Sequence, residues 1–264
     1  MTMRDLVHWL FSENTINLEI GLYDFWHFLY LFIIFGGTIF LAIKLKNKPR
    51  EIKIKTIRVF AYLTIGLYVA DFFIMPLSDS YDGISTYKLP FNICTLMALL
   101  VPFVEFNKRF QRFKPTIVIL SIVATCIWMV YPGSALGGQP PFSYIIFQTF
   151  MYHGFLFCWG ILNLAYKEVT LNIKYAWKEF VAILLVFVWA SFGNAVYDGE
   201  QNWFFIEVSI VPFLPDEALP FVIIPGVFIV SLLVYGVYYL ILHIANKRKK
   251  DEVVVINKKK QWKH

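Results

Sequence analysis

Seven apolar runs of about 17–25 residues, separated by short polar segments, dominate this chain of 264 residues. They fall at 25–43, 57–76, 88–106, 115–131, 142–165, 178–197 and 220–244. An α-helix needs about 20 residues to cross a hydrocarbon core roughly 30 Å thick. Lipid offers the backbone no hydrogen-bond partner, so each run has to pair its own N–H and C=O groups as a helix. The composition agrees, with 58% hydrophobic residues and a mean hydropathy of +0.61. Both exceed the values of an ordinary soluble domain. The expected fold is an all-α membrane protein, a bundle of about seven transmembrane helices. Residues 1–245 form its single domain, and 246–264 form a basic, unstructured cytoplasmic tail that anchors to anionic lipid. The expected location is the cell membrane, as a multi-pass protein.

The polar segments alternate in charge. Of 24 Lys and Arg residues, only Arg4 and Lys88 lie outside "KLKNKPREIKIKTIR", "NKRFQRFK", "YKEVTLNIKYAWK" and the tail. The positive-inside rule places these segments in the cytoplasm, the N-terminus outside and the C-terminus inside. The net charge of +6 is therefore a membrane-face signal and implies no nucleic-acid partner. The start, "MTMRDLVHWLFSENTINLEI", is too mixed for a cleavable leader and fits a short interfacial amphipathic helix. The aromatic, acidic stretch 198–219 is either a lid on the outer face or a plain loop.

Orientation fixes depth. Asp24 and His27, Asp71, then Asn92, Cys94 and Thr95, then Gln148, Thr149 and His153, then Asn194, Tyr197 and Asp198 come from five runs. All share one slab in the outer half of the membrane. At 1.5 Å per residue, Cys94 lies about 8–9 Å and His153 about 15–18 Å inside the outer boundary. Ionisable groups there cost about 2.5–3.5 kcal/mol by insertion scales, which marks them as functional candidates. Each has a plainer reading. Asp24 and Asp71 fit the interface, Asn92 and Thr95 fit bonds between helices, and Cys94 and His153 fit packing.

Cys94 and His153 together carry more. A thiol in apolar surroundings is inert until a base takes its proton, and imidazole is such a base. With Pro90 as the first helical residue, Cys94 falls just beyond the first turn, where the helix dipole helps little. The group that orients the imidazole is Asn194, Gln148 or an aspartate. Cys126 and Cys158 lack polar neighbours and read as packing. No cysteine lies in a loop and no zinc spacing occurs, so neither a disulfide framework nor a metal or cofactor is expected.

"LPFNICTLMALLVPF", "MYHGFLFCWGILNLAY" and "NAVYDGEQNWFF" resemble the YwaF-type integral membrane family, related to eukaryotic transmembrane protein 164. The shared features are a Leu-Pro-x-x-x-Cys entrance, a later His-Gly, an Asn followed by an Asn-aromatic segment, and an early histidine matched by His27. The resemblance spans roughly residues 20–245. It implies acyl transfer between phospholipids through a cysteine, here Cys94, and a histidine, here His153. Asn194 and Asn202 match the later asparagines. Asn92 departs from the histidine that bacterial relatives often carry there. The helical core is also similar to hydrolases that use threonine and histidine, which makes Thr95 a second candidate.

The resulting expectation is a lipid acyltransferase or acyl hydrolase working through a thioester on Cys94. His27, Asp71, Asn92, Thr95, Gln148, Asn194, Tyr197 and Asn202 support the site or bind substrate. Its partners are membrane lipids: a phospholipid or lysophospholipid and its acyl chains. The alternative is a non-catalytic protein that binds or transports a small solute through the same slab. The charge pattern makes one direct prediction. With the native cysteines replaced by alanine, a cysteine at Ser80 or Ala135 should react with an impermeant maleimide in intact cells. One at Asn47 should not, and the reverse pattern would overturn the orientation.

Overall fold

The computed structural model describes residues 1–11, 19–78, 86–132, 139–197, 202–205, 215 and 218–261, the last stretch without side chains beyond Lys247. Ser80, Ala135, Asp198 and most of the expected lid lie outside the described residues. All regular structure among the described residues is helical.

Helix α1 (Met3–Phe11) precedes the bundle and seats Phe11 against Tyr144, ring centroids 5.1 Å apart. It leaves Met3, Trp9 and Leu10 exposed, as an interfacial helix would. α2 (Phe25–Leu31) and α3 (Gly37–Lys44) run together through a π-helical turn, Phe32–Gly36. Asp24 starts α2 as its N-cap, accepting the His27 N–H at 2.8 Å and the Gly21 N–H at 2.7 Å. Then follow α4 (Arg50–Ile74), α5 (Ile93–Phe106), α6 (Lys114–Val130), α7 (Tyr144–Ala165), α8 (Trp177–Val196) and α9 (Leu219–Gln261).

Among the described residues, six helical stretches are long and apolar enough to cross a membrane: Phe25–Lys44, Arg50–Leu77, Gln111–Val130, Tyr144–Ala165, Ile173–Val196 and Leu219–Lys247. The run 88–106 is shorter than its sequence promises. Its helix spans only Ile93–Phe106, 14 residues, or about 21 Å of rise. Pro90 is the reason. It has no N–H, and its ring pushes Leu89 out of the helical region. The chain therefore enters by the turn Thr86–Lys88 and starts helix only after Asn92. The tail also differs from expectation, because α9 runs unbroken to Gln261.

The bundle is built around α7 and α6. Of their apolar windows 72% and 61% are buried, against 11% for α9. α4 turns one stripe inward: Ile57, Ala61, Thr64, Tyr68 and Asp71, at steps of three and four. α9 instead exposes Phe221, Leu233, Leu240 and Ile241, an apolar face suited to lipid.

Close approach between helices depends on small residues. A Cβ on Gly154 would lie 2.8 Å from Ile34 Cγ1 in the π turn, so this glycine lets α7 touch the first spanning helix. Gly154→Ala should destabilise the bundle by about 1–3 kcal/mol through overpacking. Adding Ile34→Ala should restore part of the loss in detergent thermal unfolding, whereas additive losses would refute the contact.

Candidate functional site

The start of α5 is assembled from four other segments. Asn92 is its N-cap residue, yet its side chain makes no capping bond. Its Oδ1 instead accepts the Phe204 N–H at 3.1 Å. That bond fixes the amide and leaves Nδ2 as the end free to donate. Thr95 gives its hydroxyl proton to the Asn92 carbonyl, 2.9 Å away, so it locks the turn. Cys94 stands within the first turn, closer to the helix start than expected, because helix begins at Ile93 rather than at Pro90. It is buried, and the Tyr152 hydroxyl donates to its carbonyl at 2.9 Å.

Beside this turn lies an aromatic plug. Asn194 pairs twice with the backbone of Trp203: it accepts the N–H at 2.8 Å and donates to the carbonyl at 3.2 Å. Asn202 and Phe204 take left-handed φ values of 44° and 60° to make the bend. The Trp203 ring packs on Phe91 and Tyr197 at 4.7 and 5.3 Å between centroids. Gly193 admits Phe91, since a Cβ there would come within 2.5 Å of the ring. Asn194, Asn202 and Tyr197 therefore build a wall of the site. Of the described residues of the expected lid, Trp203, Phe204 and Leu219 are buried.

His153 follows Tyr152 on α7. Its Nδ1 lies 2.7 Å from the Thr149 carbonyl. A carbonyl only accepts, so Nδ1 carries the proton and Nε2 holds the lone pair. Trp128 of α6 stacks flat on the ring, at 3.9 Å and 7°. The orienting group that sequence left open is thus a backbone carbonyl. Among the described residues, no hydrogen bond joins the Cys94 sulfur to the imidazole; Tyr152 is the link between the two turns.

A polar chain supports the histidine. The Tyr144 hydroxyl donates to Asp71 Oδ1 at 2.9 Å, and Asp71 Oδ2 pairs with Lys88 Nζ at 2.5 Å. Lys88 also donates to Gln148 Oε1 at 3.2 Å, which accepts the Thr149 hydroxyl at 3.2 Å. The chain ends on the residue whose carbonyl holds His153. Lys88, Tyr144, Tyr152 and Trp128 escaped the sequence reading. Lys88 was visible as one of two cations on the acidic side, while the aromatic residues had no signal among so many others.

His27 stands apart. Its Nδ1 accepts the Tyr23 N–H at 3.1 Å, and its Nε2 donates to the Met129 carbonyl at 2.8 Å. Nε2 ties α2 to the end of α6, and Nδ1 ties it to the turn just ahead of α2.

Residues 22–239 match the TMEM164 family. The chain belongs to that family. Its match covers every site residue named above, and with the apolar helices it makes the chain a multi-pass membrane protein. No curated protein and no solved structure matches the chain.

The Asp71–Lys88 pair gives a direct test of the polar chain. Lys88→Met should cost about 3–5 kcal/mol, because it strands the buried Asp71 carboxylate, and Asp71→Ala should cost less, because Lys88 keeps some access to solvent. The double variant should be more stable than the sum of the single losses implies. Strict additivity in detergent unfolding would show the pair to be uncoupled.

Proposed function

We propose that this member of the family is a membrane-embedded lipid acyltransferase or acyl hydrolase, with Cys94 as nucleophile and His153 as proton carrier. The observation that carries the reading is the tethering of His153. Its Nδ1–H is held by the Thr149 carbonyl, and its basic Nε2 is left without a hydrogen bond among the described residues. An imidazole fixed in that tautomer, one residue from the tyrosine that grips Cys94, suits proton transfer.

In this reading α5 completes seven spans, with the N-terminus outside and the C-terminus in the cytoplasm. The site then opens in the outer half of the membrane, where acyl chains enter sideways from lipid. Nε2 takes the Cys94 proton once the donor ester is seated, because catalytic contacts tighten in the substrate complex. The thiolate forms its C–S bond to the ester carbonyl carbon. The free N–H groups at the start of α5 favour negative charge there, and Asn92 Nδ2 donates to the oxyanion. Collapse breaks the ester C–O bond, and the departing alkoxide takes the proton from His153. An acceptor hydroxyl, or water, then gives its proton to Nε2, attacks the thioester and releases the Cys94 thiolate, which recovers the proton. Lys88, held by Asp71 and Gln148, sits where an anionic head group would be met.

The test is acyl labelling with a radiolabelled phospholipid. The wild-type chain should carry a hydroxylamine-sensitive label on Cys94. Cys94→Ala should carry none, while Cys126→Ala and Cys158→Ala should label normally. His153→Gln should label about 10²–10⁴-fold more slowly, and in lipid turnover the double variant should be little worse than Cys94→Ala alone. Full lipid turnover by Cys94→Ala would end the proposal. Thr95 would then inherit the nucleophile's role, although its proton is already bound to the Asn92 carbonyl.

A further inference from the structure

At the basic end of the bundle, far from Cys94, the helices part around a cavity of about 380 Å³. It lies between α4, the end of α5, the start of α6 and the turn after α7. That volume is in the range of about 300–1,000 Å³ typical of ligand sites. Glu105, on its wall, stands about 16 Å along α5 from Cys94.

The charges in the cavity are not all matched. Arg50 gives two parallel bonds to Glu168, each 2.8 Å. Those bonds hold the Glu168 carboxyl below its ordinary range, so the pair stays ionised and mutually neutral at pH 7. Lys114 pairs with Glu105 at 2.8 Å, and the Trp159 indole donates to the same carboxylate at 3.2 Å. Arg58 is the remaining cation. Its Nε lies 3.8 Å from Glu105, too far for a hydrogen bond. Its side chain is half exposed, and its guanidinium sits over the Phe106 ring at 5.8 Å. It makes no hydrogen bond to the described residues. The cavity therefore carries one net positive charge, borne by a planar fork with its donors open, and the Gln111 side chain lies on the same wall.

We infer that this cavity binds a singly charged phosphodiester, anchored by Arg58. A guanidinium fork matches two oxygens of one phosphate. The adjoining Glu105 and Glu168 carboxylates can receive the hydroxyls or ammonium that a phosphodiester carries beyond its phosphorus. The position agrees, because basic pockets between helix ends are where lipid head groups sit. The same chemistry occurs in a phospholipid and in a soluble glycerophosphodiester. This site is independent of the chemistry assigned to Cys94.

The full chain, purified in a phosphate-free maltoside detergent, should be titrated with phosphatidylglycerol, with soluble glycerophosphoglycerol and with oleate. Binding is read from the thermal midpoint and from retained ligand in native mass spectra. Arg58→Gln should weaken phosphodiester binding about tenfold. Arg58→Lys, which keeps charge but loses the fork, should fall between. Lys46→Gln removes an exposed charge at the same end that does not line the cavity, and should bind as the wild type does. Melts without ligand show whether each variant folds. Arg58-dependent binding of phosphatidylglycerol alone identifies a lipid head group, and equal binding of the soluble diester identifies a free phosphoester. Three results overturn the proposal: no phosphodiester binding, equal losses for Arg58→Gln and Lys46→Gln, or Arg58-dependent binding of oleate alone.

Discussion

Hydrocarbon offers no hydrogen-bond partner, so every polar side chain this sequence carries into the bundle has to be matched inside it. The helices are placed by that requirement as much as by packing. Asp71 on α4 is matched by Lys88 ahead of α5 and by Tyr144 on α7. Glu179 on α8 is matched by Thr116 on α6 at 3.0 Å and Tyr235 on α9 at 3.1 Å. Glu105 on α5 is matched by Lys114 and Trp159. Each carboxylate joins at least two other elements. Moving one of these helices by a turn would strand a buried carboxylate, at a cost large against the net stability of a domain.

The same requirement divides the polar residues by role. A residue whose donors and acceptors are all matched is structural. His27 belongs to that group, since both its ring nitrogens are engaged, and so does Asn194, which is bonded at both ends to Trp203. A residue with one end matched and the other without a hydrogen bond among the described residues is poised for something outside the fold. His153 Nε2 and Asn92 Nδ2 are of this kind at one end of the bundle. At the other end the half-exposed Arg58 guanidinium makes no hydrogen bond to the described residues.

Glycine and proline set the geometry that makes those free ends converge. Pro90 delays the start of α5, which puts Cys94 into the first turn instead of past it. Gly154, next to His153, lets the π turn of the first spanning helix lie against α7. Gly193 lets Phe91 sink beneath Trp203, and Trp189 ties off the Pro90 carbonyl at 2.8 Å. The entrance to α5 is held by backbone and aromatic contacts on every side, so its two reactive candidates stand on rigid elements.

The sequence by itself determined the helical class, the apolar runs and the sorting of basic segments to one side. These follow from local chemistry: run length against bilayer thickness, and charge against depth. It also determined which residue types share a slab, because 1.5 Å of rise per residue converts position into depth. It led to the expectation that Cys94, His153, Asn92 and Asp71 share the outer half of the membrane, without saying which touch. That was decided by helix rotation and neighbour choice, which no local pattern encodes when spans such as α6 and α7 are apolar all round. Only the tertiary structure turned Asp71 toward Lys88, gave His153 a backbone carbonyl for its third partner and took Asn194 for the wall. The short α5 lay between the two: Pro90 was in plain view and read as the first helical residue, yet helix begins only at Ile93. Its start at Ile93 is accompanied by the Asn92–Phe204 bond, formed across 112 positions of the chain.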